Sequence, residues 1–464
     1  MRILLRPALL GLCLLLSGAA VQVSAQRPAD APPNLVLILT DDQGYADVGF
    51  NGCQDIPTPH IDSIAARGVR FTNGYVSFAV CGPSRAGLIT GRYQDRFGAS
   101  RNPTADPSVA NNGVPRSEKN LAELLKPQGY ATMAVGKWHL GTHPDLRPQV
   151  RGFDEFFGFL TGGHSYFPEQ LTIENLEDVT EKWAWYRTKL LHNGRRVDID
   201  DYLTDELSDA AVEFIDRKKD EPFFVYLAYN APHTPMQATE KYLQRFAHIQ
   251  NERRRTYAAM VSAVDDGVGR VLAKLAEHDL DRDTIVVFLS DNGGATNNAA
   301  NNRPLRGFKS DPFEGGIRVP FAMRWIGQIP EGRDYDPPVI ALDIAGTIVG
   351  QSGAAVSPDK PLDGVDLMPY LTGQADGVPH DQLFWMWYER GRQVIRVGDD
   401  KLIDDPQGKG GTMLFDLAKD RREARNLAGD RAARVEALRA EAEAWARQMV
   451  PPAYPGLDSW TFEK

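Results

Sequence analysis

The segment Cys81-Gly-Pro-Ser-Arg-Ala-Gly-Leu-Ile-Thr-Gly-Arg92 carries the densest chemistry in the sequence. It follows a β-prone run, Val69-Arg-Phe-Thr72, and Pro83 suits the opening of a helix, where its missing N–H costs nothing. Cys81 then sits at a helix N-terminus, whose free N–H groups favour an anion, and Arg85 one turn on points back at the same spot. A thiol in that setting reads as the precursor of a nucleophile; a buried, inert thiol is the ordinary alternative. Four further clusters hold polar groups: Asp41-Asp42-Gln43-Gly44, Gly136-Lys137-Trp138-His139, Asn230-Ala-Pro-His233 and Ser290-Asp291-Asn292-Gly293-Gly294. Each by itself reads equally well as a turn, because Asp, Asn and Gly favour turns. Together they gather carboxylates, a lysine and histidines, the last suited to proton transfer near neutral pH.

Each cluster ends an apolar run. The runs are Asn34-Leu-Val-Leu-Ile-Leu39, Tyr130-Ala-Thr-Met-Ala-Val135, Pro222-Phe-Phe-Val-Tyr-Leu-Ala-Tyr229 and Thr284-Ile-Val-Val-Phe-Leu289. Continuous apolar runs of this length are expected of strands buried on both faces of a parallel sheet. Helical spacing separates them, with Leu121, Leu124 and Leu125, then Leu203, Leu207, Ala211 and Phe214, then Met260, Val264, Val268, Val271, Leu272 and Leu275. The alternation predicts an α/β fold with a mostly parallel central sheet flanked by helices. Ligands of such sheets bind outside the carboxyl ends of the strands, so the four clusters converge on one side.

On these residues the chain resembles the type I, formylglycine-dependent sulfatases of the alkaline-phosphatase superfamily. Cys81 to Gly91 matches the family's first signature, and Gly129-Tyr-Ala-Thr-Met-Ala-Val-Gly-Lys-Trp-His-Leu-Gly141 its second. His233-Thr-Pro235, Lys309 with Phe313-Glu-Gly-Gly316, and Leu414-Phe-Asp-Leu417 with Asn426-Leu-Ala428 complete the set, which spans essentially the whole chain after its first residues. The resemblance implies that a separate maturation system oxidises Cys81 to Cα-formylglycine, a built-in cofactor. Its hydrated form attacks sulfur and then expels sulfate by covalent catalysis. It also implies one Ca²⁺ held by Asp41, Asp42, Asp291, Asn292 and residue 81, a set of hard oxygen donors that disfavours zinc or copper. Lys137 and Lys309 are implied to hold sulfate, and Arg85 to orient the nucleophile. His139 is the implied base for sulfate elimination and His233 the leaving-group acid, aided by Lys309, while Asp291 additionally takes the attacking proton. His60, His192 and His248 lie away from the strand ends and keep structural readings.

At 464 residues the chain accommodates two domains, or one large domain and an appendage. Its 62 acidic and 52 basic side chains leave a net charge of −10, which argues against nucleic acid as a partner. Arg2 and Arg6 precede the apolar run 7–16, and Val23-Ser-Ala25 ends in small residues. This predicts a signal peptide over 1–25, export to a periplasm or the exterior, and no stable membrane insertion, because the run is short. Three cysteines exclude a disulfide scaffold. Export removes Cys13 and the implied maturation consumes the Cys81 thiol, so Cys53 keeps no partner and no disulfide is expected. The catalytic domain is expected over 26–330 and a smaller one over 331–464, the latter a four-stranded antiparallel sheet plus a helix. That helix carries Val435, Leu438, Ala442 and Trp445 on one face.

Exported sulfatases of this type mostly resemble polysaccharide or glycosaminoglycan sulfatases, so a sulfated carbohydrate is the expected substrate. His164, in Gly162-Gly-His-Ser-Tyr-Phe167, is a candidate for a sugar-hydroxyl contact and equally a turn histidine. Trp183, Trp185 and Tyr186 are candidates to stack on sugar rings or to fill the core. The polar loop 297–302 is expected near the site. Two other readings stay open: a phosphonate or phosphate-ester hydrolase on the same scaffold, and a non-catalytic carbohydrate-binding pseudoenzyme if Cys81 is never oxidised.

Overall fold

The four apolar runs fold as strands Asn34–Thr40, Ala131–Lys137, Phe223–Ala228 and Thr284–Ser290, every residue of them buried. They come from a computed structural model that describes residues 31–457 apart from residue 409; the expected signal segment 1–25 lies outside the described residues. The strands are neighbours in the order 284–290, 34–40, 223–228, 131–137, and all run parallel. Their register is level at the carboxyl end. Thr40 pairs with Ser290, Leu39 with Ala228, and Ala228 with Gly136. The polar cluster after each strand therefore emerges at one height on one edge.

Six shorter strands widen this sheet to ten. Glu155–Phe159 continues it in parallel, and Leu190–His192 with Arg195–Val197 closes that margin as an antiparallel hairpin. Phe321–Arg324, Val69–Phe71 and Arg333–Tyr335 extend the other margin. Side chains alternate between two cores, as the period of two in a strand requires. Leu35, Leu37, Leu39, Ile285 and Val287 meet Leu88, Ile89, Ile344 and Ile348 on one face. Val36, Ile38, Val225 and Leu227 meet Ile61, Leu207, Met260 and Val264 on the other. Each such side chain contributes about 1.5–3 kcal/mol on burial, so the strands form a firm base for the polar turns at their ends.

Strands Gln382–Trp387, Arg392–Val397, Asp400–Asp405 and Gly411–Asp416 make a separate antiparallel sheet in chain order. Helix Ala432–Ala446 covers it with the expected face of Val435, Leu438, Ala442 and Trp445. The Trp445 ring stacks on Phe384 at 4.9 Å. The expected division at 330–331 falls inside chain that belongs to the large sheet. Arg333–Tyr335 pairs with Val69–Phe71 there, and helix Asp343–Ser352 buries Ile344, Ala345 and Ile348 on that sheet's core.

Buried charges join the two sheets. Lys401 Nζ lies 2.9 Å from Glu314 and 2.9 Å from Glu423, and all three side chains are fully buried. Glu314 also accepts from the Tyr75 hydroxyl at 2.7 Å, and Glu423 accepts from the Glu314 amide at 2.7 Å. Burial opposes ionisation of Glu314, but Lys401, Arg318 and Arg396 outweigh it and hold its carboxyl low. Cys53 and Cys81 are both free. No helix among the described residues is long and apolar enough to cross a membrane.

Candidate active site

Asp41 and Asp42 follow directly on strand 34–40, and Asp42 takes a left-handed backbone with φ 62°. That turn sends the two carboxylates to different partners. Asp41 Oδ2 lies 2.5 Å from Lys137 Nζ, at the end of the 131–137 strand. Asp42 Oδ1 lies 2.6 Å from Lys309 Nζ and accepts from Asn292 Nδ2 at 2.7 Å. His233 Nε2 lies 3.6 Å from Asp42 Oδ2, while its Nδ1 lies 2.6 Å from the Thr234 carbonyl. Asp291 and Asn292, after strand 284–290, close the group, with the Asp42 amide donating to Asp291 Oδ1 at 3.3 Å.

Helix Cys81–Thr90 begins at Cys81 itself, so Pro83 is its third residue rather than its first. The N–H groups of a first turn have no intrahelical acceptor, and proline is harmless there. Cys81 Sγ is buried 3.9 Å from Lys309 Nζ and 3.7 Å from Asn102 Oδ1. Arg85 is fully buried and is held by the strand ends. Its Nε meets Asp291 Oδ2 at 2.8 Å, its Nη1 donates to the Lys137 carbonyl at 3.2 Å, and its Nη2 lies 3.7 Å from Asp41 Oδ2.

Three carboxylates thus interleave with three cations. Burial opposes ionisation of Asp41, yet Lys137 and His233 outweigh it and keep its carboxyl below the usual range. Asp42 behaves alike, with Lys309 and His233 as the compensating charges. Burial and the neighbouring Asp41 push Asp291 up. His139 is buried with φ 56°, and both ring nitrogens lack a hydrogen-bond partner among the described residues. Burial, then Lys137, Arg85 and Lys309, push its pKa well below the usual value, so it is neutral at pH 7. Burial also lowers His233, although Asp41 and Asp42 favour its proton.

Asp41 Oδ1 and Asn292 Oδ1 are buried acceptors with no donor among the described residues. Such atoms are uncommon in folded proteins, and a hard divalent cation would satisfy both. Ligand atoms of Asp41, Cys81 and Asp291 lie within 4.8 Å of one another, as do those of Asp41, Asp42 and His233. The donor set fits the implied Ca²⁺.

The structure brings Asp41, Asp42, Cys81, Arg85, Lys137, His233, Asp291, Asn292 and Lys309 into one pocket through the contacts above. His164 does not share it as a free group. It is fully buried, stacks on Phe159 at 4.7 Å, and its ring nitrogens face the Ser165 and Thr188 carbonyls at 2.9 and 2.7 Å. A sugar hydroxyl has no nitrogen left to meet, so His164 as a substrate contact is corrected to a structural histidine. The loop 297–302 lies beneath the site. Asn298 donates to the Asp42 carbonyl at 3.0 Å, and Asn302 Oδ1 accepts from the Gly294 amide at 3.0 Å. Sequence reasoning missed Asn102, whose Oδ1 also accepts from the Gly82 amide at 2.8 Å. It lies in an irregular stretch with no local signal.

A parallel-sheet edge presenting buried carboxylates and lysines around a helix-terminal cysteine defines a hydrolase of anionic esters. The sulfatase family model matches residues 33–354, and that of the N-sulphoglucosamine sulphohydrolase C-terminal region matches residues 309–446. The chain is 33% identical to the uncharacterized sulfatase YdeN of Escherichia coli, over 76% of this chain and 68% of that protein. It is 34% identical to N-acetylgalactosamine-6-sulfatase of Mus musculus, over 80% of this chain and 71% of that protein. The crystal structure of Ps i-CgsB in complex with k-i-k-neocarrahexaose is similar at a TM-score of 0.85 and 39% identity, covering 93% of this chain and 95% of that one. The chain belongs to the sulfatase family, with an alkaline-phosphatase-superfamily fold, and is a sulfuric ester hydrolase.

Proposed function

We propose that the protein, exported by its N-terminal segment, removes sulfate from a sulfated carbohydrate, using Cα-formylglycine at residue 81 and one Ca²⁺. The observation that carries this reading is the position of Cys81 Sγ beside Lys309, in a pocket whose orphaned oxygens on Asp41 and Asn292 suit a cation. Similarity to an enzyme crystallised with a neocarrahexaose and to N-acetylgalactosamine-6-sulfatases supports the sugar. Asp41, Asp42, Asp291 and Asn292 would hold Ca²⁺, which supplies positive charge against the sulfate group. Oxidised Cys81 supplies a hydrated aldehyde as nucleophile in place of the thiol.

The remaining work falls to side chains already placed. Lys137 and Lys309 neutralise the sulfate oxygens in a water-poor site, where such charges act most strongly. Arg85, tied to Asp291 and the Lys137 carbonyl, holds residue 81 in line with the strand ends. His233, 13% exposed at the rim, protonates the departing alcohol oxygen, with Lys309 beside it at 18%. His139, buried and neutral, accepts the proton released when sulfate leaves.

The test uses protein matured in a host with a formylglycine-generating system. Carrageenan oligosaccharides and N-acetylgalactosamine 6-sulfate are assayed beside phosphate and phosphonate monoesters, and residue 81 is read by peptide mass spectrometry. Sulfate release from sugars, with formylglycine at 81, is expected. Faster turnover of phosphonate or phosphate esters overturns the proposal, as does sugar binding with an unmodified, inactive Cys81.

A further inference from the structure

The turn Gly162-Gly163 is built without side chains because two functional groups press on it. A Cβ on residue 162 would stand 2.8 Å from His139 Nε2, and one on residue 163 would stand 2.5 Å from the Tyr186 hydroxyl. The Ser165 amide donates to the Tyr186 carbonyl at 2.9 Å, fastening the two segments together. The same turn thus passes His139 at one residue and the Tyr186 hydroxyl at the next. That hydroxyl makes no hydrogen bond among the described residues. Burial pushes its phenol up, and the charges it feels are those of the pocket: Lys309, Asp41, Cys81 and Asp42.

Its neighbours in the chain are aromatic, and one of them reaches the surface. Trp185 turns inward and is buried, whereas Trp183 is 50% exposed. The two tryptophan rings are 5.1 Å apart, and Trp183 lies 6.0 Å from the Tyr186 ring at 60°. Trp183 holds a left-handed φ of 72°, a conformation costly for a bulky residue and characteristic of ligand clamps. Lys182 Nζ sits 5.3 Å from the Trp183 ring centre, adding a cation at the rim.

We propose that Tyr186 and Trp183 form the leaving-group subsite, with the Tyr186 hydroxyl bonding the sugar that carries the sulfate and Trp183 stacking on the adjoining ring. The favoured substrate is then a sulfated oligosaccharide rather than a lone monosaccharide, and Lys182 faces a further sulfate along it. This rests on the carbohydrate-sulfatase reading. Tyr186→Phe and Trp183→Ala are compared with the parent enzyme on 4-nitrophenyl sulfate, N-acetylgalactosamine 6-sulfate and carrageenan hexasaccharides. On the oligosaccharide, Tyr186→Phe should lower kcat/KM about tenfold, the scale of one hydrogen bond, and Trp183→Ala should raise KM about fivefold. The loss on 4-nitrophenyl sulfate should be several-fold smaller than on the oligosaccharide, and the melting temperature should stay within error of the parent. Equal losses on both substrate types, or oligosaccharide kinetics indifferent to both substitutions, overturn the subsite. Aryl-sulfate turnover by a parent enzyme that cleaves no sugar overturns the carbohydrate reading, and the subsite with it.

Discussion

Asp41 and Asp42 adjoin in sequence yet face different cations, because the left-handed turn at Asp42 divides them between Lys137 and Lys309. Like charges so close in a buried pocket persist only with such compensation. Chelation is expected to remove most activity and lower the melting temperature, both restored by added Ca²⁺ but not by Zn²⁺. A ligand held at a hundredfold above its Kd stabilises the fold by about 2.7 kcal/mol, which scanning calorimetry with and without EGTA reads directly. Cys81→Ala should cut turnover by about a thousandfold or more while circular dichroism stays unchanged. Retained turnover in that variant would dismiss residue 81 as the nucleophile's source.

At the scale of elements, the close approach of strands 131–137 and 223–228 controls where Lys137 leaves the sheet. Gly136 has φ 91°, and a Cβ there would stand 2.1 Å from the Ala228 carbonyl oxygen. Gly136→Ala should cost about 2 kcal/mol or more and displace Lys137, seen as a lower denaturant midpoint together with lower activity. A second link, His380 Nε2 to Asp343 Oδ1 at 2.7 Å, ties the segment entering the small sheet to helix 343–352. Burial opposes protonation of His380, but Asp343 outweighs it and raises the pKa above 6.5. A raised histidine pKa contributes stability that is full below the unfolded value and fades as pH rises through the folded one. The melting-temperature gap between the parent and His380→Gln should thus be about 1–2 °C at pH 6 and close by pH 9. A gap constant across that range would refute the link.

Across the whole molecule, the small sheet holds the segment that carries Lys309. Glu314, five residues on, is clasped by Lys401, and its amide by Glu423. Removing Lys401 leaves Glu423 buried without its cation and Glu314 with Arg318 alone as a cation in contact, which costs about 3–5 kcal/mol. Lys401→Met should therefore lower both the unfolding midpoint and kcat, while Lys419→Met, at an exposed lysine of the same unit, should change neither.

The four strands and the polar ends they deliver were legible because each strand is a local apolar run and each end a local change of chemistry. The helical face 435–445 was legible for the same reason. The division at 330–331 was not, since the loss of regular alternation after Val319 does not say which sheet a short strand such as 333–335 will join. In Gly162-Gly-His164 the eye goes to the histidine, yet its nitrogens are taken by backbone carbonyls and it is the glycines that make room for His139 and Tyr186. Local propensity and periodicity by themselves determined the buried parallel strands, the polar edge and the helix-terminal cysteine. Only the tertiary structure decided that Asp41 meets Lys137 while Asp42 meets Lys309, that Asn102 lies against residue 81, and that Lys401 secures the Lys309 segment. Each of these is a contact between residues distant in the chain, and its geometry follows from packing and charge compensation that no local preference specifies.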